Sequence, residues 1–118
     1  MSKRKDRLAD EVRDILASCL LGGQMQDPRL AGVTIIDVRL SGDLQIASVY
    51  FRVFGDMPHK KSLVGLQRAT PFLRKHLAQT LDIRRVPELR FFFDESPERA
   101  ARIDELFAQI KAGSHGDS

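Results

Sequence analysis

Seven lysine and arginine side chains between residues 60 and 85 are the clearest candidates for a binding site in this sequence, because their positive charge suits an anionic partner. Residues 60–93 contain eight basic and two acidic residues, a net charge of +6, whereas residues 94–118 carry −3 and the rest of the chain is neutral. With so few acids nearby, these cations are available to phosphate groups. The sequence therefore predicts an RNA-binding surface, with a solvated charged face as the alternative. The candidate residues are Lys60, Lys61, Arg68, Arg74, Lys75, Arg84 and Arg85.

Residue types that could act in catalysis are few and isolated. Cys19 lies on a predicted apolar helix stripe, where a small buried hydrophobe is expected rather than a nucleophile. His76 has no acidic partner nearby in the sequence, which favours a boundary residue or a phosphate donor. No spacing of His, Cys or carboxylates is typical of a metal site. We expect no enzyme activity, no metal and no cofactor, and keep a small hydrolase using Cys19 or His76 as a minor alternative.

Length and composition limit the class of protein. The chain has 118 residues, 42% hydrophobic and 30% charged, which suits one domain with its own core. We expect one domain over residues 1–112 and a flexible tail over residues 113–118. No apolar run approaches the roughly 20 residues of a membrane span. A single cysteine and the absence of a signal-peptide pattern predict a reduced, cytoplasmic protein.

The first half of the sequence predicts a helix followed by a β-hairpin. Apolar residues recur at helical spacing from Leu8 to Leu20, and Gly22-Gly23 is typical of a helix end. Residues 33–40 and 44–53 alternate in polarity on either side of a short turn, which predicts two strands with one buried face. In the first strand the alternation places Ile36, Val38 and Leu40 on that face.

The second half predicts two helices that meet at Pro71. Thr70 is a good N-cap and proline is favoured directly after one, so the second helix should begin there. Free N–H donors are then expected at Phe72 and Leu73. Arg74 and the lysine after it would lie in the first turn, where cations oppose the helix dipole unless an anion binds.

A third strand over residues 89–93 and a last helix complete the order. Ser96 is a good cap for that helix, and its apolar stripe is Ala100, Ile103, Leu106, Phe107 and Ile110. Three strands with one apolar face, covered by helices on that face, make a two-layer α+β domain.

Most aromatic residues fit core positions, so base stacking is not expected. The predicted core aromatics are Phe51, Phe72, Phe91, Phe93 and Phe107. Tyr50 is placed on the outer face of the sheet, and Phe92 either packs under the last helix or is an exposed contact. A further set of charged residues forms either internal salt bridges or a docking surface, namely Arg29, Arg84, Arg85, Glu88 and Asp94.

Several motifs in the same order resemble the bacterial ribosome-binding factor A family over about residues 7 to 110. They are Asp27-Pro28-Arg29-Leu30, Val33-Thr34-Ile35-Ile36-Asp37-Val38, Leu40-Ser41-Gly42-Asp43-Leu44, Ala47-Ser48-Val49-Tyr50, Arg84-Arg85-Val86-Pro87-Glu88-Leu89-Arg90-Phe91, Phe93-Asp94-Glu95-Ser96 and Arg102-Ile103-Asp104-Glu105-Leu106. The resemblance implies a type II KH-like fold. It also implies a non-catalytic assembly factor that binds the immature small (30S) ribosomal subunit, promotes maturation of the 5′ end of 16S rRNA and supports growth in the cold.

The sequence departs from the family pattern at one motif. Where the family has Ala-x-Gly at a kink between two helices, this chain has Ala69, Thr70 and Pro71. Proline also breaks helices, but it offers no N–H and blocks close approach of a phosphate to the backbone. The resemblance therefore implies a kept kink with weaker RNA contact at its backbone.

The main rival function is a protein-interaction module. In that interpretation the basic segment docks an acidic partner, and the hairpin edge or Phe92 supplies further contacts. For either function we expect a monomer that acts by binding and has no membrane partner.

Overall fold

A computed structural model of the chain describes residues 3–21 and 26–95. Three parts of the sequence interpretation lie outside these residues: the glycine pair that ends the first helix, the C-terminal helix begun by Ser96, and the tail. The described elements, in chain order, are α1 (Lys3–Leu21), a short 3-10 helix (Pro28–Leu30), β1 (Val33–Leu40), β2 (Ile46–Val53), α2 (His59–Leu81) and β3 (Glu88–Phe93).

The three strands form one sheet in the order β1-β2-β3. β1 and β2 are antiparallel, whereas β2 and β3 are parallel because α2 returns the chain between them. Alternate residues of each strand face a single core, which also receives the apolar sides of α1 and α2. The predicted α+β architecture, with helices on one face of a three-stranded sheet, is confirmed.

A β-bulge in β1 corrects the predicted facing of that strand. Val33 and Ile35 are buried, and so are Val38 and Leu40, which requires an extra residue between the two pairs. The register with β2 shifts between Ile35 and Asp37, so one residue is inserted there and the alternation changes phase. The prediction that Ile36 shares the face of Val38 is therefore wrong.

α2 is one helix of 23 residues that includes Pro71, and the predicted pair of helices is wrong. Thr70 is not an N-cap, because its Oγ1 donates to the carbonyl oxygen of Leu66, one turn earlier, at 3.0 Å. Pro71 lies on the solvent side, so its ring meets no core residue. The apolar stripe runs through the proline without a change of phase, and its burial offsets the lost N–H bond. The stripe consists of Leu66, Ala69, Leu73 and Leu77.

The connector before β1 packs closely against α2. Asp27 caps the 3-10 helix by accepting a hydrogen bond from the backbone N–H of Arg29 at 2.9 Å. Gly65 of α2 leaves room for this turn, since a Cβ there would lie 3.1 Å from the side chains of both Arg29 and Leu30. α2 is therefore fixed against the rest of the domain on one side, and its opposite side is exposed.

Candidate nucleic-acid interface

Five of the seven predicted RNA-binding residues lie on the solvent side of α2, and all five are exposed. With 3.6 residues per turn, they occupy the helix surface opposite the buried stripe. These residues are Lys60, Lys61, Arg68, Arg74 and Lys75. α2 contains no aspartate or glutamate over its whole length, so the helix itself contributes no negative charge to this surface. We call these five residues the basic face.

The other two predicted residues, Arg84 and Arg85, lie in the connector between α2 and β3 and are also exposed. Arg74 ties this connector to the helix, because its guanidinium donates to the carbonyl oxygen of Val86 at 3.0 Å. Arg74 and Arg85 line a common cavity of about 400 Å³, together with Glu88 and the hairpin residues 43–45. The structure therefore places Arg85 of the connector next to Arg74, which with Lys75 forms the C-terminal half of the basic face.

The structure does not gather all seven residues at one point. Lys60 precedes Arg74 by 14 residues in the same helix. At about 1.5 Å per residue, the two lie roughly 20 Å apart along the helix axis. This spacing makes an elongated strip rather than a pocket, which suits contact with several successive phosphates of a polynucleotide.

Within residues 3–21 and 26–95, none of the seven candidate residues forms an ion pair. Two other charged residues for which the sequence left the role open are paired: Arg29 binds Asp27 at 2.7 Å, and Glu88 binds Arg90 at the same distance. The hydrogen bond from Arg29 holds the pKa of Asp27 below its usual value, with a smaller contribution from Arg68. Arg29 and Glu88 thus take part in internal salt bridges, whereas Arg84 and Arg85 form no ion pair with any described residue.

The electrostatic argument from the helix dipole is wrong. Arg74 and Lys75 lie in the middle of α2, more than four turns from its first residue, and not in a first turn. Phe72 and Leu73 are likewise interior, where each N–H is engaged within the helix. The helix-kink residues Ala69, Thr70 and Pro71 thus provide no free backbone donors, and the groups that the basic face exposes are side chains.

Among the described aromatic residues, Phe51 and Phe91 lie in the core as predicted, and Phe72 does not. The prediction of Phe72 as a core residue is wrong: it is 40% exposed beside the basic face, and Leu73 fills the core position. The signal was present in the sequence, since Leu73 continues the stripe of Leu66 and Ala69 and Phe72 does not. Phe92 is 43% exposed and stacks on Tyr50 across the outer face of the sheet, with ring centroids 5.5 Å apart.

Phe93 and Asp94 have structural roles at the end of β3. The Phe93 ring stacks on His59, the first residue of α2, with centroids 4.0 Å apart. The Arg52 guanidinium lies 5.2 Å from the same ring and donates to the carbonyl oxygen of Asp94. Asp94 is buried, and its N–H donates to the carbonyl of Phe51 at 2.8 Å. These contacts fix β3 against β2 and the start of α2.

The minor catalytic candidates lack the geometry of a reactive site. Cys19 is 3% exposed, and its burial raises the pKa of the thiol, which disfavours the nucleophilic thiolate. His76 is half-buried beside Phe72, with the two rings nearly parallel at 6.2 Å. Among the described residues no group of His, Cys, Asp or Glu could hold a metal ion. No helix in the described part of the chain is long and apolar enough to cross a membrane.

Comparison with known proteins identifies the family of the chain. Residues 4–107 match the family model for ribosome-binding factor A. The ribosome-binding factor A of Sorangium cellulosum is 42% identical over 119 residues, covering 98% of this chain and 94% of that protein. The Pelobacter propionicus protein of the same name is 41% identical over 111 residues, covering 93% and 90%.

Solved structures agree with this assignment and with the KH-like fold. The crystal structure of ribosome-binding factor A from Thermus thermophilus matches with a TM-score of 0.66 at 34% identity, covering 75% of this chain and 93% of that one. Ribosome-binding factor A coordinates from the same organism, fitted into a cryo-EM map of a 30S complex, match with a TM-score of 0.62 at 34% identity, covering 75% and 92%. The motifs, the fold and these relatives together place the chain in the ribosome-binding factor A family.

Proposed function

We propose that this chain is a non-catalytic assembly factor that binds the immature small (30S) ribosomal subunit in the cytoplasm and promotes maturation of the 5′ end of 16S rRNA. The observation that carries the proposal is the acid-free basic face of α2, continued by Arg84 and Arg85 in the adjoining connector. The Thermus thermophilus relative fitted into a 30S complex supports the choice of partner.

Binding is the mechanism that this surface supports. The elongated strip of exposed cations matches successive phosphates of folded RNA, and each neutralised phosphate releases condensed counterions. Affinity should therefore fall steeply with salt. We propose that Lys60, Lys61 and Arg68 contact one stretch of backbone, and that the C-terminal half of the basic face with the connector arginines contacts another. The factor would hold an immature rRNA arrangement until nucleases act on it.

Co-sedimentation tests the partner. The full-length protein is mixed with purified 30S subunits, either mature or carrying unprocessed 16S rRNA, and centrifuged at about 50 and 200 mM salt. We expect co-sedimentation that is stronger with unprocessed particles and that decreases by orders of magnitude at the higher salt. Protein that stays at the top of the gradient at low salt with both particles would contradict the proposal.

Complementation tests the role in maturation. Cells depleted of the protein should accumulate 16S rRNA with an unprocessed 5′ end, more so in the cold, and the wild-type gene should restore processing. Purified protein mixed with precursor rRNA alone should leave it uncut. Cys19→Ala serves as a control that separates binding from catalysis, because we expect a modest packing loss and full complementation.

A protein-docking function is the second candidate, favoured by the exposed ring of Phe92 and by the position of the hairpin strand β1 at one end of the strand order. In that case the basic face would meet an acidic protein surface instead of RNA. Nuclease treatment of the particles separates the two, because digestion of the rRNA should abolish binding under our proposal and leave a purely protein-mediated contact intact.

A further inference from the structure

The exposed ring of Phe72 lies among the cations of the basic face. Phe72 is 40% exposed although it lies in the interior of α2. Arg68, four residues earlier, and Lys75, three residues later, are its neighbours on the helix surface, and both are exposed. The ring of His76 lies nearly parallel to it, with centroids 6.2 Å apart. An open aromatic surface is therefore flanked by two positive charges.

Within residues 3–21 and 26–95, Phe72 does not belong to the hydrophobic core. The core contacts of this part of α2 are made by Ala69, Leu73 and Leu77, which are buried. A partly exposed aromatic ring with an exposed cation about one turn away in each direction along the helix has the composition of a site for unpaired nucleobases. In such a site the ring stacks on a base and the cations hold the neighbouring phosphates.

Pro71 leaves side chains as the means of recognition at this point. Its ring has no N–H, and the N–H groups that follow lie inside the helix. A phosphate therefore finds no open backbone to bind, whereas it can reach the exposed cations of Arg68 and Lys75. The ligand that fits such side chains has phosphates spaced on either side of a flat apolar group.

We propose that Phe72 stacks on an unpaired base of RNA while Arg68 and Lys75 bind the flanking phosphates, so that the basic face prefers single-stranded to duplex RNA. This inference rests on the proposed function for its choice of RNA as the ligand. It adds a base-stacking residue and a preference for unpaired nucleotides to a surface otherwise defined by charge.

The test compares two single strands of equal charge that differ in whether they carry bases, together with an RNA duplex whose bases are paired. Affinities of the full-length protein are measured by fluorescence anisotropy for a labelled eight-nucleotide oligouridylate, for an abasic oligomer of the same length, and for an RNA duplex. We expect the oligouridylate to bind roughly 5- to 150-fold more tightly than the abasic oligomer, the range typical of one stacked base. The affinity for the duplex, expressed per phosphate, should be close to that for the abasic oligomer.

Three variants assign the preference to the ring. Phe72→Leu keeps an apolar side chain without a π face and should remove the preference, with affinity for the abasic oligomer unchanged. Phe72→Tyr keeps the ring and should retain the preference. Val64→Ala is the matched control, because Val64 is equally exposed, at 40%, on the same side of α2 but is aliphatic. Thermal unfolding verifies that each variant is folded.

Equal affinity of the wild type for oligouridylate and the abasic oligomer would overturn the inference, as would an undiminished preference in Phe72→Leu. If Phe72→Leu left all RNA affinities unchanged but weakened binding to a ribosomal protein of the small subunit, the ring would be a protein contact and the inference wrong. Failure of the proposed function is a separate result: the wild type would then show the base preference without co-sedimenting with 30S subunits.

Discussion

The outer face of the sheet and the basic face of α2 both carry exposed arginines, but among the described residues only the arginines on the sheet pair with acids. Arg39 pairs with Asp37 at 3.3 Å, and Arg90 pairs with Glu88 at 2.7 Å. In each pair the two residues are two positions apart, so their side chains leave the strand on the same side. On α2 a partner would have to lie three or four residues away, and the helix contains no acid at all.

The aromatic residues of the two faces also differ in how closely neighbouring side chains stack on them. On the sheet, Tyr50 and Phe92 stack on each other, and the Arg39 guanidinium lies 5.8 Å from the Tyr50 ring. Beside the basic face, Phe72 is 40% exposed, and within the described part of the chain its ring partner is His76, at 6.2 Å. A charged side chain therefore indicates a binding surface only where no acid pairs with it, and an aromatic side chain only where no neighbouring ring stacks closely on it. The number of such residues in the sequence does not show whether they are paired or stacked.

Charge reversal of the connector arginines should cause the largest change in affinity for 30S subunits. Arg84→Glu combined with Arg85→Glu removes two phosphate contacts and introduces repulsion, so we expect a roughly ten- to hundredfold loss of affinity for 30S subunits. The salt dependence should also become shallower, by about 1.4 to 1.8 in the logarithmic slope. Arg39→Glu on the sheet is the matched control and should change affinity little. Equal losses in both variants would show that the two faces do not differ.

Pro71→Ala tests whether the backbone of α2 takes part in binding. Alanine restores an N–H that can donate to the carbonyl of Gln67, so we expect the free energy of unfolding to rise by about 1–3 kcal/mol, measured by chemical denaturation. Affinity for 30S subunits should stay unchanged, because the basic face acts through side chains. Pro71→Gly should give a smaller gain in stability. A gain in affinity for either variant would mean that the proline blocks a backbone contact.

Neutralising single acids tests whether an acid beside the basic face lowers affinity for 30S subunits more than an acid across the sheet. Glu88 lines the cavity beside Arg74 and Arg85, whereas Asp37 lies across the sheet in β1. Glu88→Gln should therefore raise affinity for 30S subunits about two- to fivefold at low salt, by removing a negative charge next to the proposed contacts. Asp37→Asn keeps its oxygen acceptor for the N–H of Val38 and should leave affinity unchanged. Similar gains in both would indicate that net charge alone governs binding.

The smallest effect concerns the titration of Glu88. The hydrogen bond and charge of Arg90, with a smaller contribution from Arg74, hold the pKa of Glu88 below its usual value. A lowered pKa means a stabilisation that is present at neutral pH and is lost as the pH falls through the lowered value. Arg90→Gln should move this pKa back toward its usual value, observed by NMR titration of the carboxyl group. An unchanged pKa would show that the Arg90 pair does not neutralise the sheet face in solution.

Predictions from residue spacing and residue type were correct where the structure of an element depends on its own residues. The helical stripe of α1, the two hairpin strands and the turn chemistry were predicted from spacing and residue type. Ser41 indeed donates to Asp43 at 2.7 Å in the hairpin loop. The same rules failed at Pro71, where a local preference to end a helix competes with burial of a stripe that continues beyond it, and burial prevails. They failed at Ile36 too, because a bulge depends on how β1 pairs with β2.

The sequence by itself determined the family, the α+β fold and the identity of the basic segment, because these depend on residue types and on short-range periodicity. Only the tertiary structure decided which cations remain unpaired, that Arg74 joins the connector to α2, and that Phe72 faces solvent among the cations. Each of these depends on how α2 lies against the sheet and the Pro28–Leu30 turn, and that arrangement is fixed by contacts between residues far apart in the chain.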